Sequence, residues 1–437
     1  MSTGTSGPPV RLAWTVHVPA GVWGVAQGAA APVVALAARE HGASLGVAGL
    51  VVALAGLGQL VGDLPAGRLV SRFGERRSIV GASVLAVGGV ALCLVSWSVV
   101  SLAVGVFLAG LSQAVWGLAR QTYLAEAVPF ARRARVMSSV AAMMRVGFLA
   151  GPLLGAVAIL AVGTRGGFGV QLVAVCVTAV LMGRVPDVGR SPRASGAPGD
   201  PVAQEAGLWR VLVEHRRLLR TLGLGAALMG LSRTARTVVL PLWADGLGVD
   251  AATTSLVFGA SAALDVLVSV PAGYLMDRFG RRALAVPSLT VLAAGYVALP
   301  FAGGVASLTV VALVLGLGNG LSNGVIMTLG ADVAPPGQRA QFFGAWRLLH
   351  DAGAFAGPLV VAGTALVAPL GVAALVVGAT SAAGGAVFWR YVPVWAPWPR
   401  APAAAPPGGG APGGGVSGGG APGGGDVVGV ARGAATR

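Results

Sequence analysis

Long apolar runs fill most of this chain, 47–64, 79–95, 102–118 and 308–321 among them, and they are broken mainly by Gly, Ala and Ser. Small residues inside apolar runs suit helices that pack closely in lipid, not strands that alternate between two environments. A helix needs about 20 apolar residues to cross a bilayer. The pattern predicts twelve such segments: 12–37, 44–67, 79–99, 101–125, 137–162 and 167–184, then 218–243, 251–275, 284–302, 305–330, 341–367 and 369–391. The expected fold is an all-α membrane protein of twelve transmembrane helices in two six-helix bundles, 12–184 and 218–391. Around them lie an N-terminus at 1–11, a Pro/Gly/Ser-rich linker at 185–217 with a short amphipathic helix near 208–219, and a Pro/Gly/Ala-rich tail at 392–437 with nothing to bury.

The two bundles are predicted to be copies of one unit. Pro65-Ala66-Gly67-Arg68-Leu69-Val70-Ser71-Arg72-Phe73-Gly74 and Pro271-Ala272-Gly273-Tyr274-Leu275-Met276-Asp277-Arg278-Phe279-Gly280 stand 206 positions apart. Pro129 and Pro335, Gly147 and Gly353, and Gly151-Pro152 and Gly357-Pro358 keep that offset without a gap, which marks a tandem duplication. Two parallel repeats of six spans enclose a path at their interface near the bilayer midplane, and rocking one repeat on the other opens it to each side in turn.

Composition agrees: 55% of the 437 residues are hydrophobic and 10% charged, with a mean hydropathy of +0.80, a balance no soluble core could hide. The net charge of +15 could suggest nucleic acid, but every basic residue is Arg and the arginines gather in alternate loops. Arg68, Arg72, Arg76 and Arg77 follow the second segment, Arg132, Arg133 and Arg135 the fourth, Arg278, Arg281 and Arg282 the eighth, and a further group lies between the halves; Arg39 and Arg165 are exceptions. The positive-inside rule then places both termini and the central linker in the cytoplasm of a plasma-membrane protein. Arg11 could open a signal peptide, yet the first apolar stretch outruns one and reads as a retained helix. Cys93 and Cys176 lie inside spans without metal or disulfide spacing. No metal motif, nucleotide loop or Ser/His/Asp arrangement is visible, so neither an enzyme nor a cofactor is expected.

The duplicated loops resemble the signature loop of the major facilitator superfamily, Gly, three residues, Asp-Arg-x-Gly-Arg-Arg, between helices two and three and between eight and nine. The second copy is complete with Gly273, Asp277, Arg278, Gly280, Arg281 and Arg282; the first has Gly67, Arg72, Gly74, Arg76 and Arg77 but Ser71 in place of the acid. Gly74 and Gly280 are predicted to take the positive φ of a tight turn. The resemblance implies an ionic latch in which the loop arginines meet Glu126 and Asp332 at the ends of helices four and ten, with Asp63 able to stand in for the missing acid; the alternative is a charged anchor that sets topology only. Gly147, Gly151, Pro152 and Gly155 of helix five resemble the antiporter motif of proton-coupled exporters in this superfamily. Their counterparts in helix eleven point equally to generic small-residue packing, and the exporter pattern's arginine would fall at Gly110.

Ionisable residues within spans are costly and mark function. Asp63, Asp265, His350 and Asp351 are the candidates for proton coupling. Arg145 and Arg347 are candidates for interdomain ion pairs, Arg145 with Asp265 and Asp63 with the Arg347/His350/Asp351 cluster, since in the family helix five faces eight and eleven faces two. Arg347 and Asp351 are also spaced for a local i,i+4 salt bridge, and a static gate competes with coupling. Arg120, Arg233 and Arg236, with Gln27, Asn319 and Asn323, fall on helices that line the family's cavity and could meet an anionic group; Arg120 could instead pair with Glu126, and Arg236 with Asp265. Trp23 and Trp116 could add aromatic lining. The resemblance thus implies a monomeric secondary transporter of a small-molecule substrate, driven by protons and exporting a drug or metabolite. Uptake symport or uniport is the alternative, and a non-transporting sensor the third reading.

Overall fold

The computed structural model describes residues 16–128, 130–184, 213–335 and 339–397. Residues 1–15, the linker up to 212 with the first part of its amphipathic segment, and the tail from 398 lie outside them; the rest of that segment is helical at Arg216–Leu218 and Leu219–Gly223 and runs on into the seventh span. All the described regular structure is helical. The first six spans are α1, in two parts at Val18–Ala30 and Val33–Glu40, then α2 (Leu45–Phe73), α3 (Glu75–Leu94), α4 (Val99–Ala127), α5 (Phe130–Val162) and α6 (Arg165–Gly183). The second six are α7 (Leu224–Gly246), α8 (Ala251–Phe279), α9 (Arg282–Ala298), α10 in two parts at Val305–Leu321 and Val325–Val333, α11 (Arg339–Val367) and α12 (Leu370–Trp395). Pro32 breaks α1, and Gly324, at φ 83°, breaks α10. Eleven spans are long and apolar enough to cross a membrane by length and composition. The twelfth, α7, is diluted by Arg233 and Arg236.

Duplication extends to the helix ends. Ser44 caps α2 by accepting the Val47 N–H, and its counterpart Asp250 caps α8 by accepting the Thr253 N–H at 2.9 Å. The Thr253 hydrogen bonds hold the Asp250 carboxyl below the usual carboxylate range. Gly74 and Gly280 take φ 82° and 86°, ending one helix and starting the next in a single residue. That is why α2 and α8 run to Phe73 and Phe279 rather than to the predicted 67 and 275: the Arg-rich last turns are polar but helix-compatible, and the glycine, not the loss of hydropathy, stops them.

Within each half the same atoms meet. A Cβ on Gly147 would collide with the Gly21 carbonyl, and one on Gly353 with that of Ala227; Gly151 faces Val25 and Ala29, and Gly357 faces Leu231 and Ala235. Each partner is again 206 positions from its counterpart. The α1–α5 and α7–α11 pairs thus seat backbone on backbone, which only glycine allows. The halves join through α2 against α11 and α5 against α8, as the resemblance implied.

Candidate functional site

The tight contacts between halves lie on the side away from the motif loops. Side chains at Gly46 and Gly49 of α2 would strike Leu366 and Ala362 of α11, Gly56 sits against Phe355, and Phe148 of α5 approaches Phe258 of α8 with ring centres 6.2 Å apart. Toward the motif loops the walls separate. There a cavity of about 370 Å³ is lined by Trp23, Gln59, Asp63, Gln113, Arg120 and Gln121 of one half and Gly344, Arg347, Leu348 and Asp351 of the other. A second space of about 310 Å³ shares Gln59 and Gln113 with it and continues to Gln27, Phe148, Gln171, Thr234 and Thr237. Together they reach the size of small-ligand sites.

Arg120 lies on the face of Trp116, 4.9 Å from the ring centroid, and Trp116 stacks on Trp23 at 4.3 Å and 8°. Both indoles are buried. The Arg120 Nε is buried without a hydrogen-bond partner, Nη1 points at the Met144 thioether, and no described carboxylate lies within ion-pair distance. The side chain of Glu126, its sequence-predicted alternative partner, lies outside the described residues.

Arg233, Arg236, Asn319 and Asn323 are drawn instead into a network inside the second half. Asp265 accepts from Asn319 Nδ2 at 2.5 Å and Asn323 Nδ2 at 2.6 Å, and lies 3.8 Å from Arg236 Nη2. Arg233 donates to Asn323 Oδ1 at 2.8 Å, and Arg236 donates to Ser261 and stacks on Phe258. The expected Arg145–Asp265 pair is therefore corrected: α8 turns Asp265 toward α7 and α10 of its own half, where three donors surround it. The alternative pairing with Arg236 is the one found.

On α11, Arg347 Nε meets Asp351 Oδ2 at 3.3 Å and His350 Nδ1 lies 3.1 Å from Asp351 Oδ1, the local pairing the spacing predicted. Asp63 faces the same cavity but forms no ion pair with them among the described residues, because the helices have parted at this level. In the complete motif loop, Arg281 grips Asp332 with Nε at 2.7 Å and Nη2 at 3.4 Å, and reaches Asp277 at 3.5 Å. Arg282 covers the Trp389 ring at 3.7 Å, Arg278 that of Phe279, Arg72 that of Phe73, and Arg76 donates to the Gly183 carbonyl at 2.5 Å. These described contacts of both loops stay within one half. Gly67 and Gly273 have open space beside them.

In α5, Pro152 contributes to the α5–α8 contact at Gly259, and a Cβ on Gly155 would stand 3.8 Å or more from α1, too loose to need a glycine. Gly110 of α4, where the exporter pattern has arginine, presses on the Ala55 carbonyl of α2. An arginine has no room there.

Among the described residues, one ion pair spans the halves. Arg39, at the end of α1, donates through Nε to Asp245 Oδ2 at 2.8 Å near the end of α7, and through Nη1 to the Ala43 carbonyl. The partners stand 206 positions apart, so they are the same position in the two repeats with opposite charge. Sequence reasoning missed them although the signal was present: Arg39 was an exception to the loop bias, and the repeat offset points from it to Asp245. Gln59 and Gln171 were missed too, because among the uncharged amides within spans the sequence points to Gln27, Asn319 and Asn323, and nothing local distinguishes the other glutamines.

The sequence profile of the Major Facilitator Superfamily matches residues 21–231 and 222–422. No curated protein sequence matches the chain. Among solved structures, the inward open conformation of the xylose transporter XylE from E. coli is similar at 18% identity and TM-score 0.65, covering 86% of this chain and 95% of that one. A D-xylose-proton symporter gives 19% identity and TM-score 0.66 over 90% of this chain and 100% of that one. A POT family transporter in complex with 5-aminolevulinic acid gives 11% and 0.69 over 90% and 98%.

Proposed function

Because the chain belongs to the Major Facilitator Superfamily, we propose that it is a secondary transporter carrying a small organic solute across the plasma membrane by alternating access, coupled to protons. The observation that carries this reading is the cavity lined from both halves, shut on one side by helix packing and the Arg39–Asp245 pair. The positive-inside rule puts the motif loops and both termini in the cytoplasm, so the state described is inward-facing. One chain holds both halves and the cavity, and a monomer suffices. Asp63 and Asp351 are the carboxylates that line the cavity, one on each half. Closing the cytoplasmic side would bring Asp63 toward Arg347 and His350, and a carboxylate that gains or loses such a partner releases or takes up a proton in step with the motion. Arg281 and Asp332 hold the second motif loop rigid while the halves move.

Direction follows from the sign of the coupling. Gly147 and Gly151 pack as Gly353 and Gly357 do, and position 110 has no room for the exporter arginine. Export therefore rests on the helix-five resemblance alone, and the D-xylose-proton symporter among the structural neighbours supports uptake as the second reading. In inside-out vesicles with an acid lumen, an exported solute added outside raises lumenal pH, whereas a symported one lowers it. A broad compound panel that moves no protons in either sense would remove proton coupling. Asp63→Asn and Asp351→Asn are expected to abolish the pH response while solute still equilibrates; an unchanged response in both variants would take these carboxylates out of the mechanism.

A further inference from the structure

Four charged groups line the cavity toward the motif loops: Asp63, Arg120, Arg347 and Asp351. Arg347 is spoken for by Asp351, which also holds His350. Arg120 is left with a thioether, an aromatic face and a buried, unpartnered Nε, and Arg347 stands on the facing wall of the same cavity. A guanidinium in low dielectric without a counter-charge is destabilised, and it is stabilised most by a planar oxyanion that matches its fork. Stacking on Trp116, itself backed by Trp23, holds the guanidinium plane in place, so little ordering remains to be done on binding. The amides of Gln59, Gln113 and Gln121 supply neutral donors and acceptors for the rest of a solute, and Asp63, the cavity carboxylate without an ion pair among the described residues, has its place in the proton coupling proposed above.

Resting on the transporter reading above, we propose that the cargo is an organic anion whose carboxylate, or an equivalent oxyanion, binds Arg120 of the first half and faces Arg347 of the second. Such a cargo gives Arg120 the counter-charge that Arg347 already has in Asp351, so that two arginine–carboxylate pairs, not an unpaired cation, face each other across the cavity. Binding then favours the approach of α4 and α11, and the substrate itself helps to close the cytoplasmic side.

The test uses the purified full-length protein in lipid nanodiscs, with thermal stabilisation as the readout. The probes are matched sets on one carbon skeleton, among them phenylacetate, phenylacetamide, phenethylamine and benzylphosphonate, extended over skeletons that fit the cavity. Carboxylates are expected to raise the melting temperature where the matched amides and amines do not, and stabilisation by the phosphonate as well would define the site as a general oxyanion site. Arg120→Gln should remove the shift. Arg120→Lys, which keeps the charge but loses the fork and the stacking, should weaken it at least about tenfold in apparent affinity, and this variant serves if Arg120→Gln does not fold. Stabilisation by amides or amines equal to that by carboxylates, full carboxylate binding by Arg120→Lys, or no carboxylate effect across the panel would each overturn the inference. A neutral or cationic solute that still moves protons in the vesicles would leave the transporter reading intact and remove only the anion.

Discussion

Gly147→Val is expected to prevent α1 and α5 from seating, and with them the first half from folding. Its branched Cβ would stand where the Gly21 carbonyl lies, and neither backbone can retreat, since Gly24 and Gly28 press on α5 by the same close approach at Met144 and Phe148. Overpacking against rigid backbone costs at least about 3 kcal/mol here, the upper end of what inserted bulk usually costs in a packed interior. The repeat predicts the same for Gly353→Val, whose Cβ would meet the Ala227 carbonyl. Gly155→Ala, whose new Cβ would meet α1 at 3.8 Å, an ordinary contact, should be neutral or slightly stabilising through helix propensity. Thermal unfolding and size-exclusion profiles of the three purified variants check this. A well-folded Gly147→Val protein that had lost only proton exchange would return these glycines to an antiporter role.

Arg39→Asp is expected to open the side that is closed in this structure. The substitution turns an attraction at 2.8 Å into a repulsion between two carboxylates on facing helix ends. Both partners are about one-third exposed, so the native pair contributes about 1 kcal/mol, not the larger value of a buried pair. That still shifts a two-state equilibrium roughly fivefold, and repulsion adds to it. The readout is labelling of Thr237→Cys, a cavity residue, by a membrane-impermeant thiol reagent from the side away from the motif loops, with Cys93 and Cys176 replaced. Labelling should accelerate in Arg39→Asp and return to the native rate in the swapped double variant Arg39→Asp/Asp245→Arg. Equal rates in all three would reduce the pair to a surface contact without influence on the gate.

The fold was legible because its two signals are repeated and local. Apolar runs of spanning length mark the helices, and the 206-residue offset fixes their number and pairing, even for α7, whose arginines hide it from hydropathy. Ends were less legible: a helix stops where its capping residue allows, as at Gly74 and Gly280, and hydropathy changes several residues earlier. In the site, the i,i+4 pair of Arg347 and Asp351 could be read because helix geometry alone brings those side chains together. Arg39–Asp245 needed one further step. Equivalent residues of two repeats meet only close to the axis that relates them, which here passes between α1 and α7; Arg145 and Asp351, also opposite in charge and equivalent, lie far from it on α5 and α11. For Asp265 two partners were open, Arg145 and Arg236, and a helix wheel chooses between them only once the neighbours of α8 are known.

Under the proposed alternating access, the two sides of this molecule open in opposition. Spin labels at Phe73 and Phe279 report the motif-loop side, and labels at Trp97 and Phe301 report the other; all four positions are exposed, one of each pair in each half. Electron–electron distances between the labels of each pair, measured in lipid across proton and solute conditions, are predicted to change with opposite sign, the Phe73–Phe279 distance shortening whenever the Trp97–Phe301 distance lengthens. Two distances that lengthen together, or that stay fixed under every condition, would contradict it.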